Sequence, residues 1–236
     1  MSNGRTANLI NFLFLALLPI YIGVHTYLLP PTISGSGIAD AGFVSIITLT
    51  FLGCAFVVLL TLIVNPHIAS SKLTAIATAY VVLIYFLREA DLHRLLTVEH
   101  VTRGKFYTMA SVPMWQKIIA GLIFLILAVF ILYLLARYTR TIWQEILDLE
   151  PWAVALALWL VVLAISQLCD KSGLNHTHIG RVIEECCECW AAIFIFLATI
   201  QIIPTLKKRK PLYYGVTAYD VMRNRQSKFP QPPPMA

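Results

Sequence analysis

The chain of 236 residues is 58% hydrophobic and 13% charged, with a mean hydropathy of +0.75. A soluble domain carries roughly a quarter of its residues as charges, so these proportions exclude an ordinary water-soluble enzyme and point to a protein whose solvent is lipid. The net charge of +6 does not imply nucleic acid, because a basic tail accounts for most of it and no phosphate-cradling or dinucleotide fingerprint occurs.

Crossing the hydrocarbon core takes about 20 mostly apolar residues in a helix. Six stretches approach that length: roughly 9–29, 41–64, 73–93, 118–137, 152–169 and 179–203. They are continuous rather than alternating, which rules against a membrane β-barrel. The expected fold is therefore all-α, a polytopic integral membrane protein with six transmembrane helices in a single bundle (residues 1–206), followed by a basic, Pro-rich tail (207–236). The first stretch follows Arg5 but is too long for an ordinary signal peptide, and Pro30-Pro31-Thr-Ile-Ser has no clear cleavage pattern, so it reads as a retained helix. His25 lies about one turn before its exit.

The polar residues of the later spans gather at one end. On the third, Tyr85, Glu89 and His93 recur at i, i+4 and i+8 on one face, flanked by Arg88, Asp91 and Arg94. The connector 89–116 carries Lys105-Phe-Tyr107 and Val112-Pro-Met-Trp115, suited to the headgroup level, and reads as a lid or an interfacial helix. The fifth span closes with Ser166, Gln167, Cys169 and Asp170. The sixth opens with Arg181-Val-Ile-Glu184-Glu185-Cys-Cys-Glu188, whose charged residues fall on one helical face. Ionisable groups at this depth are functional suspects.

Orientation follows from lysine and arginine. With six spans and an inner amino terminus, Arg5, Lys72, Arg137, Arg140 and the tail cations stand inside, against Arg88, Arg94, Arg103, Lys105, Lys117, Lys171 and Arg181 outside. The cluster Lys207, Lys208, Arg209 and Lys210 decides the assignment, and it also suits anionic lipid headgroups. The expected location is a bacterial inner membrane with both termini cytoplasmic.

Carboxylates and imidazoles from several helices form the ligand set of a divalent metal site. The expected metal ligands are His93, Asp170, Glu188 and His25, with Glu185, Glu188 and Glu89 as catalytic acids or bases. The corresponding function is a metal-assisted hydrolase or transferase acting at the outer leaflet. A cation- or proton-coupled transporter is one alternative. A structural subunit of a membrane complex, in which Arg88, Arg94 or Arg181 pairs with these acids, is the other. A bridge between Cys169 and one of Cys186, Cys187 and Cys189 is a further expectation if the outer side is oxidising.

Overall fold

The computed structural model describes residues 2–28, 42–65, 72–90, 92, 104–172, 174 and 177–209. The described residues contain helices and no strand. They are α1 (Ser2–Gly23, continued by a π-helical turn over Val24–Leu28), α2 (Phe43–Val64), α3 (Lys72–Glu89), α4 (Gly104–Thr108), α5 (Met114–Leu147), α6 (Pro151–Lys171) and α7 (His178–Arg209).

Among the described residues, five helices are long and apolar enough to cross a membrane: α1 with its π turn, α2, α5, α6 and α7. The sixth expected span is α3, which has 18 residues and carries Lys72, Arg88 and Glu89 within them, so it falls short of the other five. The fourth expected span, 118–137, is the middle of a longer helix of 34 residues. At 1.5 Å per residue α5 is about 51 Å long, well beyond a hydrocarbon core of about 30 Å. Its polar continuation past Arg137 stays helical because backbone hydrogen bonding does not depend on lipid.

α7 is the hub. Of its apolar window 72% is buried, against 6% for α5. One core cluster joins α7 to α1, α2 and α6 around Phe194, Trp190, Val162 and Leu18. A second joins it to α2 and α3 through Ala192, Ile195, Leu52, Ala75, Ala79 and Val82. Small residues let helices approach where lipid supplies no hydrophobic drive between them, and Ala79, Ala191 and Ala192 serve that purpose here. α5 stands outside, packing mainly on α3, where Tyr80 meets Phe130 edge to face at 5.4 Å and Thr74 bonds the Tyr138 hydroxyl at 2.7 Å. The described part of the connector seats on α5 rather than on the acids: Phe106 and Val112 are buried against Ala120, and Lys117 donates to the Met109 carbonyl at 2.7 Å.

The end of the bundle opposite the acids looks nearly featureless in sequence, but it holds a buried amide pair. Asn11 on α1 is fully buried, and its Nδ2 donates to the Pro151 carbonyl (3.0 Å) and to Gln201 Oε1 (3.3 Å). Gln201 Nε2 donates back to Asn11 Oδ1 at 2.9 Å. Asn8, one turn earlier, donates to the carbonyl of Leu149, the residue with φ 54° in the turn from α5 to α6. These bonds fix α1, α6 and α7 in register. Asn11→Leu should therefore cost about 1–2 kcal/mol by stranding a buried amide, read as a lower unfolding midpoint in detergent. Asn11→Leu with Gln201→Leu should recover most of the loss, and a double variant as unstable as the single one would contradict the pairing.

Candidate functional site

The charged end is organised by the turn into α7. Thr177 accepts a hydrogen bond on its hydroxyl oxygen from the Gly180 amide at 3.0 Å, three residues on, in the manner of an N-cap. The same hydroxyl and the Thr177 amide both donate to the Leu174 carbonyl, at 2.6 and 2.8 Å. Gly180 packs so closely on that carbonyl that a Cβ at this position would collide with it. This seat sets where α7 begins, and hence where its acids stand.

Three helices then meet at Glu188. Its Oε1 accepts from the Arg88 guanidinium of α3 at 3.2 Å and from the Ser166 hydroxyl of α6 at 3.3 Å. Glu188 is buried, with its side chain 11% exposed, while the Arg88 side chain is 45% exposed and also lies 3.7 Å from Glu89 Oε1. The Glu89 and Glu188 carboxyl groups, on different helices, are within hydrogen-bonding reach of each other. Glu184, one turn before Glu188, is half-buried and in electrostatic range of Glu188, Asp170, Arg181 and Arg88. Asp170 is exposed at the end of α6. The acids thus descend from exposed Asp170 through half-buried Glu184 to the pair of Glu89, 13% exposed, and buried Glu188.

Of the residues expected from sequence, Glu89, Glu188 and Asp170 come together from α3, α6 and α7. Glu185 is half-buried beside them, within electrostatic range of Glu89. His25 approaches from elsewhere. Its ring lies 4.4 Å from that of Tyr21 at a tilt of 50°, and the Tyr21 ring lies 4.9 Å from that of Trp190. Trp190 is two residues and about 200° of helical rotation from Glu188, so α1 packs on the side of α7 turned away from that carboxylate. Trp190 completes this contact by donating its indole N–H to the Phe14 carbonyl at 2.6 Å. His93 lies outside the described residues. Among the described residues, no three or more His, Cys, Asp or Glu side chains form a group that could hold a metal ion. Of the ion pairs expected from sequence, that of Arg88 with Glu188 is present. The cysteine bridge is not formed: all five cysteines are free, and the buried ones pack as small apolar residues of α6 and α7. The side chains of Lys207, Lys208 and Arg209, and all of Lys210, fall outside the described residues.

Sequence reasoning missed Ser166 as the second donor to Glu188, although it stood at the right depth. No protein-family model, curated protein or solved structure matches this chain.

Proposed function

We propose that the protein is a membrane-embedded enzyme whose carboxyl pair performs general acid–base chemistry on a substrate held in the outer leaflet. The observation that carries this reading is the approach of Glu89 and Glu188 to hydrogen-bonding reach beside Arg88. A hydrogen bond between two carboxyl groups needs one proton between them, and with one proton the group of Arg88, Glu89 and Glu188 is neutral, as its surroundings demand. A pair sharing a proton presents an acid and a base at once, the arrangement found where paired carboxyls do proton transfer. The metal-assisted form of the reaction needs His93 and His25 beside Glu188 and Asp170; the acid–base form needs neither histidine and is the better supported.

A structural brace is the second reading, favoured by the same 3.2 Å contact of Arg88 with Glu188, which ties α3 to α7. A transporter is less well supported, because α7 runs apolar from Trp190 to Ala198 between Glu188 and Gln201. In this proposal α3 is the sixth crossing, since its 18 residues span about 27 Å. The termini are cytoplasmic, the membrane is a bacterial inner membrane, and Lys207 to Lys210 lie against anionic headgroups.

The test is incubation of the purified protein with a membrane lipid extract, followed by mass profiling. The wild type should convert at least one lipid species, and Glu188→Gln and Glu89→Gln should each slow that conversion by about 100-fold or more. An unchanged lipid profile with wild type, or full activity in Glu188→Gln, would leave the brace as the better account.

A further inference from the structure

Tyr85 precedes Glu89 by one turn on α3 and belongs to the same face. Its ring is partly exposed, but its hydroxyl oxygen is buried, has no hydrogen-bond partner, and stands in electrostatic range of Glu89, Glu188 and Arg88. Buried hydroxyls nearly always find a partner, and leaving one unpaired is costly. The cluster within electrostatic range of this hydroxyl has acceptors that are only partly used: Arg88 and Ser166 both bond the same oxygen of Glu188, Oε1, and on the acid–base reading the two carboxyls hold one proton between them.

What fits beside two carboxyl groups and a phenolic oxygen is a small group rich in donors. A primary ammonium has three N–H donors and no acceptor, matching one contact each from Glu89, Glu188 and Tyr85. From this juxtaposition we propose that the site binds a primary ammonium group, on a free amine or on an aminophospholipid headgroup, in place of the proton that Glu89 and Glu188 share. The proposal rests on the acid–base reading of the same site and names its substrate class. Glu188 lies level with Ser166, five residues before the end of α6 at Lys171, or about 7.5 Å along the helix, a depth that a headgroup amine reaches.

The exchange balances in charge. With one proton, Arg88 and the two carboxyls sum to zero. When the ammonium enters, that proton leaves to bulk water, both carboxylates are ionised, and Arg88 with the ligand neutralises them. Among the described residues, the other titratable or charged groups near the pair are Asp170 from α6 and Glu184, Glu185, Arg181, Cys187 and Cys189 from α7. α2, packed on both α3 and α7, brings the Thr48 hydroxyl, which bonds the Val44 carbonyl. The outer carboxylates attract cations to the mouth, and Arg88 limits the ligand to a single positive charge.

The test uses the full chain in phosphatidylcholine nanodiscs, titrated calorimetrically with methylammonium in buffers of different ionisation heat. One proton should be released per methylammonium bound, and affinity should rise about tenfold per pH unit while the pair holds its proton. Tetramethylammonium, which has no N–H donor, should not bind. Tyr85→Phe should weaken methylammonium binding by about tenfold or more, with an unfolding midpoint no lower than that of the wild type, since the substitution removes an unpaired buried hydroxyl. Phosphatidylethanolamine in the nanodisc should suppress methylammonium binding if the natural source is lipid; undiminished binding would assign the site to a free amine. No methylammonium binding, equal binding of tetramethylammonium, or wild-type affinity in Tyr85→Phe would overturn the proposal. Lipid conversion that persists without methylammonium binding would leave the acid–base reading standing and remove only the substrate class.

Discussion

Arg88→Met should lower the stability of the detergent-solubilised protein more than any other single change at the charged end that leaves the backbone undisturbed. Removing one partner of a fully buried ion pair costs about 3–5 kcal/mol, because the other charge is left without compensation. The Arg88 side chain is 45% exposed, and solvent reduces the effect to about 1–3 kcal/mol. What remains after the substitution is two acids in mutual reach with no cation among the described residues within hydrogen-bonding distance. Adding Glu188→Leu removes the stranded carboxylate and should restore most of the midpoint. The reverse substitution, Glu188→Gln, should be milder, because the guanidinium keeps Glu89, 3.7 Å away, as its ion-pair partner while Ser166 keeps an acceptor in the glutamine oxygen. Equal losses from Arg88→Met and Glu188→Gln, or no rescue in the double variant, would show that the pair does not couple α3 to α7 as the geometry implies.

Gly180→Ala is the second large effect, and it acts through the backbone. A Cβ at Gly180 collides with the Leu174 carbonyl, which already accepts from the Thr177 amide and hydroxyl. Side-chain neighbours can rotate away from an added methyl, but a carbonyl engaged by two donors cannot. Overpacking ordinarily costs about 1–3 kcal/mol, and with backbone as the obstacle Gly180→Ala should reach about 3 kcal/mol or more. The start of α7 would have to move, and Glu184 and Glu188 with it. Thr177→Ala offers a graded comparison, since loss of an N-cap alone costs about 1 kcal/mol. Thermal unfolding in detergent should rank the two, with Gly180→Ala clearly the worse; the opposite order would mean that the turn is not held as described.

The membrane character and the carboxylate end were legible in sequence because each rests on a local pattern. Apolar runs report the lipid-facing length of a helix, and the spacing of Glu184 and Glu188, or of Tyr85 and Glu89, places each pair on a common face. The full length of α5 was not legible, because hydropathy falls where the helix leaves the lipid although its hydrogen bonds continue to Leu147. The amide pair of Asn11 and Gln201 was not legible either, since its partners are 190 positions apart and each looks like an isolated polar residue. His25 shows a third kind of loss. Its depth in the membrane suggested a place among the acids, but depth does not fix rotation, and the contacts of Tyr21 with Trp190 set α1 on another side of α7. Ser166 was visible at the right depth, yet its bond to Glu188 depends on the packing of α6 against α7.

The proton proposed to be shared by Glu89 and Glu188 is open to direct test by infrared spectroscopy of the reconstituted protein near neutral pH. The wild type should show the C=O stretch of a protonated carboxyl group, shifted on transfer to deuterated buffer. In a Glu184→Gln background, which removes the other acid one turn away, either Glu89→Gln or Glu188→Gln should abolish that band, because the remaining carboxylate then pairs with Arg88 and needs no proton. Absence of the band in the wild type, or its survival in either variant, would contradict the carboxyl pair and the acid–base account built on it.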